Sequence, residues 1–110
     1  MSSIQITAVF CANDVTAIGV MKAFREKGIM IPEDISVISI DNTEICQFSS
    51  PILTSIHIPK EDLGRFAVKL IIDRIEGGHR LPVKIEIPYT IITRESCASP
   101  RIKGLSQNEN

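Results

Sequence analysis

Two adjacent pairs of polar residues, Asn13-Asp14 and Asp41-Asn42, are the candidates for chemistry in this chain. Each pair directly follows a short apolar run, residues 6–11 (ITAVFC) and residues 35–40 (ISVISI). If both runs are parallel strands, both pairs project from one rim of the sheet. Open parallel α/β sheets bind ligands beyond that rim, at the carboxyl ends of their strands. An amide and a carboxylate placed there can bracket a hydroxyl or a ring N–H of a neutral polar ligand. A plainer reading stays open, in which Asn13 and Asp14 cap a helix while Asp41 and Asn42 make a turn.

The other reactive side chains ask for less. His57 lies between two apolar residues of an extended segment and reads as structural, partly exposed or hydrogen-bonded, with no partner evident in the sequence. His79 follows Gly77-Gly78 and reads as solvent-exposed. Glu61 and Asp62 fall in the first turn of a predicted helix, where acidic charge suits the helix dipole. Cys11, Cys46 and Cys97 are odd in number and lack metal-ligand spacing, so they read as reduced thiols of a cytoplasmic protein. No pair of groups demands catalysis, and neither catalytic nor metal-binding residues are assigned. Neither strand is followed by a glycine-rich phosphate cradle, because Gly19 lies too far into the helix. A nucleotide cofactor is therefore disfavoured, and no cofactor is implied.

The elements that must position these residues are an α/β set. Residues 6–11 suit a strand buried on both faces. A helix is predicted over residues 14–27, with Asn13 as its N-cap and Gly28 just past its end. Residues 31–34 form a loop, and residues 35–40 form the second buried strand. Strand, helix and strand with short joints make a βαβ unit with a right-handed crossover. Residues 53–58 (LTSIHI) are extended, Pro59 opens a helix over residues 60–76, and Gly77-Gly78 stops it. Residues 83–87 (VKIEI) alternate as a half-exposed or edge strand does, and residues 89–93 (YTIIT) resume an apolar run. The tail from residue 97 is polar and turn-rich, and is expected to be flexible.

Bulk properties exclude several roles. The 110 residues carry a formal net charge of −1 and 44% hydrophobic residues, enough for one small core. Without a basic stripe, direct DNA binding by this segment is not expected. No apolar run approaches the roughly 20 residues that span a bilayer, and MSSIQITAVF does not read as a signal peptide.

Both helices carry more apolar surface than one sheet can cover. In the first, Ala17, Val20, Met21 and Phe24 share the sheet-facing side, yet Val15, Ile18 and Gly19 leave the other side apolar near the N-terminus. Either a subunit interface or a neighbouring element of the same domain would cover them. In the second, Asp62, Arg65, Lys69, Asp73 and Glu76 form a polar stripe only roughly 80° wide at 100° per residue. Leu63, Phe66, Ala67, Val68, Leu70, Ile71, Ile72 and Ile75 fill the remaining arc. Such a helix must lie between two bodies, so the chain reads as part of something larger or as an interwoven oligomer.

The string TAVFCANDVTAIGVMKAFREKGIMIPEDISVISIDN, continued by PILTSIHIPKEDLGRFAVKLIIDRIEGG and IITRES, resembles the C-terminal part of the effector-binding domain of LacI/GalR (lactose/galactose repressor) regulators. The resemblance covers about residues 5–96. It implies a periplasmic-binding-protein-like (type I) α/β fold of two subdomains closing on a sugar or nucleobase-like effector. Residues 1–57 would then belong to the C-terminal subdomain, 58–88 to the N-terminal one, 89–96 to a return strand and 97–110 to a flexible tail. Asn13 and Asp41 match effector-contacting positions. Val15, Ile18, Gly19, Lys22 and Phe48 match surfaces used for homodimerisation. Operator DNA would be bound only through a helix-turn-helix upstream, and no membrane partner is implied. Ser55 and Ile40 replace the commoner Thr and aromatic residues of the pattern. Part of a sugar-binding transport protein of the same fold is the alternative.

Overall fold

The structure, a computed structural model, describes residues 5–101. The first helix, α1 (Asp14–Glu26), forms where the sequence supplies a start and a stop. Asn13 is extended and its side chain accepts a hydrogen bond from the Thr16 amide at 2.8 Å, an N-cap. At the other end Gly28 takes a φ of +75°, which only glycine adopts without strain. The Ile29 amide then reaches Phe24 O at 2.9 Å and the Gly28 amide reaches Arg25 O at 3.1 Å, closing a Schellman turn. α2 (Lys60–Ile75) ends in the same way at Gly77 and Gly78, whose amides bond to Arg74 O and Asp73 O.

Four strands lie in the order β1 (Ala8–Phe10), β2 (Ser36–Ile40), β3 (Thr54–His57) and β4 (Thr90–Ile92). β1 and β3 both run parallel to β2, with Val9 opposite Val37 and Ser39 opposite Ser55. This is the α/β, parallel-sheet arrangement expected. The core of this sheet unit gathers Cys11, Ala17, Met21, Val37, Cys46 and Leu53, with Val9, Ile18, Val20, Phe24 and Ile31 packed partly against it. A short 3-10 helix, Glu44–Phe48, follows β2 and contributes Cys46 to that core.

The described chain divides into two compact units, one running to His57 and resuming at Ile91, the other comprising Ile58–Thr90. In the second unit no residue of α2 is fully buried, and Leu63, Phe66, Ile71 and Ile75 are all exposed. No helix among the described residues is long and apolar enough to cross a membrane.

Four expectations need correction. The strand predicted over residues 6–11 is shorter, and it is not buried on both faces: Ile6 and Phe10 are 58% and 60% exposed. It stands at the edge of the described sheet, where no described residue covers one of its faces. Residues 83–87 form no strand. Their alternation brings Lys84 and Glu86 to one side as an exposed ion pair at 3.1 Å, but no described strand pairs with them. His79 is half-buried rather than solvent-exposed, because its Nδ1 pairs with Asp73 at 2.6 Å. The tail does not loosen at residue 97. The Ala98 amide bonds to Ser36 Oγ at 3.0 Å, Cys97 Sγ lies 3.3 Å from Val37 O, and Arg101 pairs with Asp34. The rest of the tail, residues 102–110, lies outside the described residues.

Candidate functional site

Parallel pairing of β1 and β2 places the residues after both strands at the same rim. The Cys11 amide donates to Ile38 O at 2.8 Å, which keeps the two strand ends together as the chain turns into α1 and into the loop after β2. Asn13 is exposed there, and its Oδ1 is engaged in capping α1. Asp41 is half-buried and leaves β2 with a φ of +118°, followed by Asn42 at +54°. Residues with side chains seldom adopt these conformations. Asn and Asp tolerate them best, and each such residue costs about 1–3 kcal/mol unless its surroundings hold it in place.

What holds them is Asp14, whose sequence position suggests a helix start or a rim contact rather than a brace. The residue is 1% exposed, and its carboxylate ties four segments together. One oxygen accepts from Ser39 Oγ on β2 at 2.5 Å and from Ser55 Oγ on β3 at 2.8 Å. The other accepts from the Thr43 amide and the Thr43 hydroxyl, both at 2.6 Å. Burial pushes this carboxyl's pKa up, but the hydrogen bonds from Ser39, Thr43 and Ser55 outweigh burial and hold it well below the usual carboxylate range. The charge is retained because every one of those donors is aimed at it.

Ser55 completes the frame. Its hydroxyl donates to Asp14 and accepts from the Asn42 amide at 2.9 Å, so the departure from Thr at this position keeps the hydroxyl. The Asn42 side chain is engaged at both atoms: Oδ1 accepts from Arg94, and Nδ2 lies 3.2 Å from His57 Nδ1. His57 therefore has a partner that the sequence does not reveal, because residues 42 and 57 meet only through strand pairing. Arg94 is fixed in turn by its amide on Thr54 Oγ1 at 2.9 Å and by its guanidinium on Leu53 O at 2.7 Å.

The five residues singled out for dimerisation are placed less uniformly. Val15 and Phe48 are 69% and 83% exposed, Gly19 and Lys22 are exposed, and Ile18 is half-buried against the core. Ile18, Lys22 and Phe48 line a groove of about 350 Å³ between α1 and the 3-10 helix, together with Ile45. A larger cavity of about 490 Å³ opens at the opposite, amino end of the strands, beside Thr7, Phe24, Asp34 and Arg101.

Residues 2–97 match the sequence pattern of the periplasmic binding protein-like domain. The chain is 51% identical over 90 residues to the HTH-type transcriptional repressor PurR of Vibrio atlanticus, covering 82% of this chain and 27% of that protein. Among solved structures it is similar to a LacI family transcriptional regulator from Enterococcus faecalis with bound ribose, with 34% identity and a TM-score of 0.75 over 87% of this chain and 36% of that one. It is also similar to the transcription regulator CcpA of Lactococcus lactis, with 30% identity and a TM-score of 0.75 over 84% of this chain and 34% of the other. The chain thus spans about a quarter of the length of the curated relative and about a third of the solved ones. It belongs to the periplasmic binding protein-like domain family, and its relatives are transcriptional regulators of the LacI type.

Proposed function

We propose that this chain forms one wall of the effector-sensing domain of a LacI-type transcriptional regulator and part of its dimer face. The observation that carries the reading is Asp41, a half-buried aspartate beyond the carboxyl end of a parallel strand, on backbone braced by Asp14 and Ser55. A carboxylate so placed accepts from ligand hydroxyls or from a ring N–H, which fits a sugar or a nucleobase-like molecule. Ribose is bound in a similar regulator, which supports a small polar ligand of this kind. Asn13 stands on the same rim as a second contact; binding there requires its amide to serve the ligand alongside its helix-capping role. Val15, Ile18, Gly19, Lys22 and Phe48 supply the face on which a second copy packs. Effector binding biases the equilibrium between DNA-competent and incompetent dimers in the cytoplasm, and the DNA contact is made by a region outside this segment.

The test is ligand affinity with ribose and with hypoxanthine as probes. Removing a charge-assisted hydrogen bond costs about 1.5–3 kcal/mol, so Asp41→Ala is expected to weaken whichever probe binds by about 10- to 150-fold. Equal affinity in the variant would remove Asp41 from the site.

A further inference from the structure

We propose that Asn42 is a positioning residue that couples the ligand rim to both strand ends where the chain leaves and re-enters the sheet unit. The inference rests on the reading of Asp41 as a ligand contact and adds to it how occupancy there is transmitted.

The geometry begins with the chain path. His57 is the last residue before the chain departs into Ile58–Thr90, and Arg94 follows shortly after it returns at Ile91. One side chain engages both. Arginine only donates, so Asn42 Oδ1 must be the atom facing Arg94, which leaves Nδ2 facing His57. An amide NH₂ only donates, so His57 Nδ1 must accept, and the imidazole is neutral with its hydrogen on Nε2. The hydrogen-bond directions therefore fix one arrangement of three residues.

Asn42 is also the immediate neighbour of Asp41 in strained backbone. The Asp41 amide bonds to Ile56 O at 2.9 Å and the Asn42 amide to Ser55 Oγ at 2.9 Å, so β3 supports both residues just before His57. A shift of Asp41 towards a ligand moves Asn42, and Asn42 cannot move without pulling on His57 and Arg94. No slack is available through the backbone, since both residues already hold positive φ and both amides are engaged.

The experiment is NMR of the full-length protein that contains this segment, with labelled His and Arg side chains, in three forms. In the wild type, His57 Nδ1 is expected as an unprotonated, pyridine-type nitrogen. Asn42→Asp tolerates the positive φ and still accepts from Arg94, but it cannot donate. The His57 hydrogen is then expected to move to Nδ1. Asn42→Gly keeps the backbone conformation and removes both bonds. Amide exchange at Asp41 and Arg94 is expected to accelerate roughly tenfold, while the Cys11 amide on the far strand is unaffected. An unchanged His57 tautomer in Asn42→Asp would overturn the proposal. So would uniform or unchanged exchange in Asn42→Gly, since a merely structural side chain lowers protection everywhere or nowhere. On adding ribose or hypoxanthine, the His57 and Arg94 side-chain signals are expected to respond in the wild type and to stop responding in Asn42→Gly. Binding that leaves those signals still in the wild type overturns the coupling while the ligand reading stands. Failure of both probes to bind, with the tautomer switch intact, refutes the ligand reading and the transmission that depends on it, but not the clamp.

Discussion

Asp14 offers the sharpest perturbation, because its two oxygens take four hydrogen bonds with almost no exposure to water. Asp14→Asn keeps the shape. The Thr43 amide and hydroxyl can still donate to the remaining carbonyl oxygen, and the Ser39 and Ser55 hydroxyls can rotate to accept from the new NH₂. What is lost is the charge assistance, a cost of about 1–2 kcal/mol from the difference between charged and neutral hydrogen bonds. Asp14→Ala is worse. Ser39 and Ser55 already lie 3.2 Å apart and can satisfy each other, but the Thr43 amide and hydroxyl both lose their charged acceptor. The expected loss is about 3–5 kcal/mol, from several hydrogen bonds to a charged group at about 1.5–3 kcal/mol each, partly offset by the bond the two serines can make to each other. Against a typical stability of about 5–15 kcal/mol, that brings so small a core close to unfolding. Urea denaturation of the three proteins measures the series. The pH dependence follows from sign. The folded carboxyl titrates well below its unfolded value, so the unfolded state binds the proton first as pH falls. The advantage of the wild type over Asp14→Asn is therefore full above about pH 4 and shrinks as the pH drops below it. An Asp14→Ala protein within about 0.5 kcal/mol of wild type, or an advantage growing with acid, would refute the network.

Burial pushes the thiols of Cys11 and Cys46 up, with Asp14 adding to the effect at Cys46, so half-buried Cys97 should react first with a thiol reagent in the native chain. Equal rates at Cys46 and Cys97 would contradict the packing. Gly28→Ala meets open space but must take a positive φ, and should lose about 1 kcal/mol in urea; a neutral result would mean that the Schellman turn can relax. Phe48→Asp, at a position 83% exposed, should leave folding intact and weaken self-association in sedimentation by roughly tenfold or more. Unchanged self-association would move the dimer contact elsewhere.

Much of the fold was legible because it is written in local signals. Asn13 and Gly28 mark the ends of α1, Pro59 and Gly77 those of α2, and an apolar run rich in β-branched residues announces the inner strand β2. Where the reading failed, the deciding contact was not local. Alternation over residues 83–87 gives an extended chain, but a strand exists only where a partner supplies hydrogen bonds. Phe10 is apolar, yet its burial depends on a neighbour that the described residues do not provide. The candidate site shows the same division. The rim position of residues 13 and 41 follows from strand ends alone. The roles of Asp14, Asn42, His57 and Arg94 depend on β2 and β3 lying side by side and on the segment after β4 reaching them, which no spacing in the sequence discloses. A signal was present at Asp14 in hindsight: Ser39 and Ser55 are hydroxyls within inner strands, and buried hydroxyls need partners.

The central claim is that ligand meets this chain at the carboxyl-end rim, and amide chemical-shift mapping of this segment within the full-length protein, during titration with ribose and with hypoxanthine, tests it most directly. Shifts centred on residues 12–14 and 41–43, abolished by Asp41→Ala, are the predicted result. Shifts centred instead on the amino-end cavity beside Phe24, Asp34 and Arg101, or none with either probe, would contradict it.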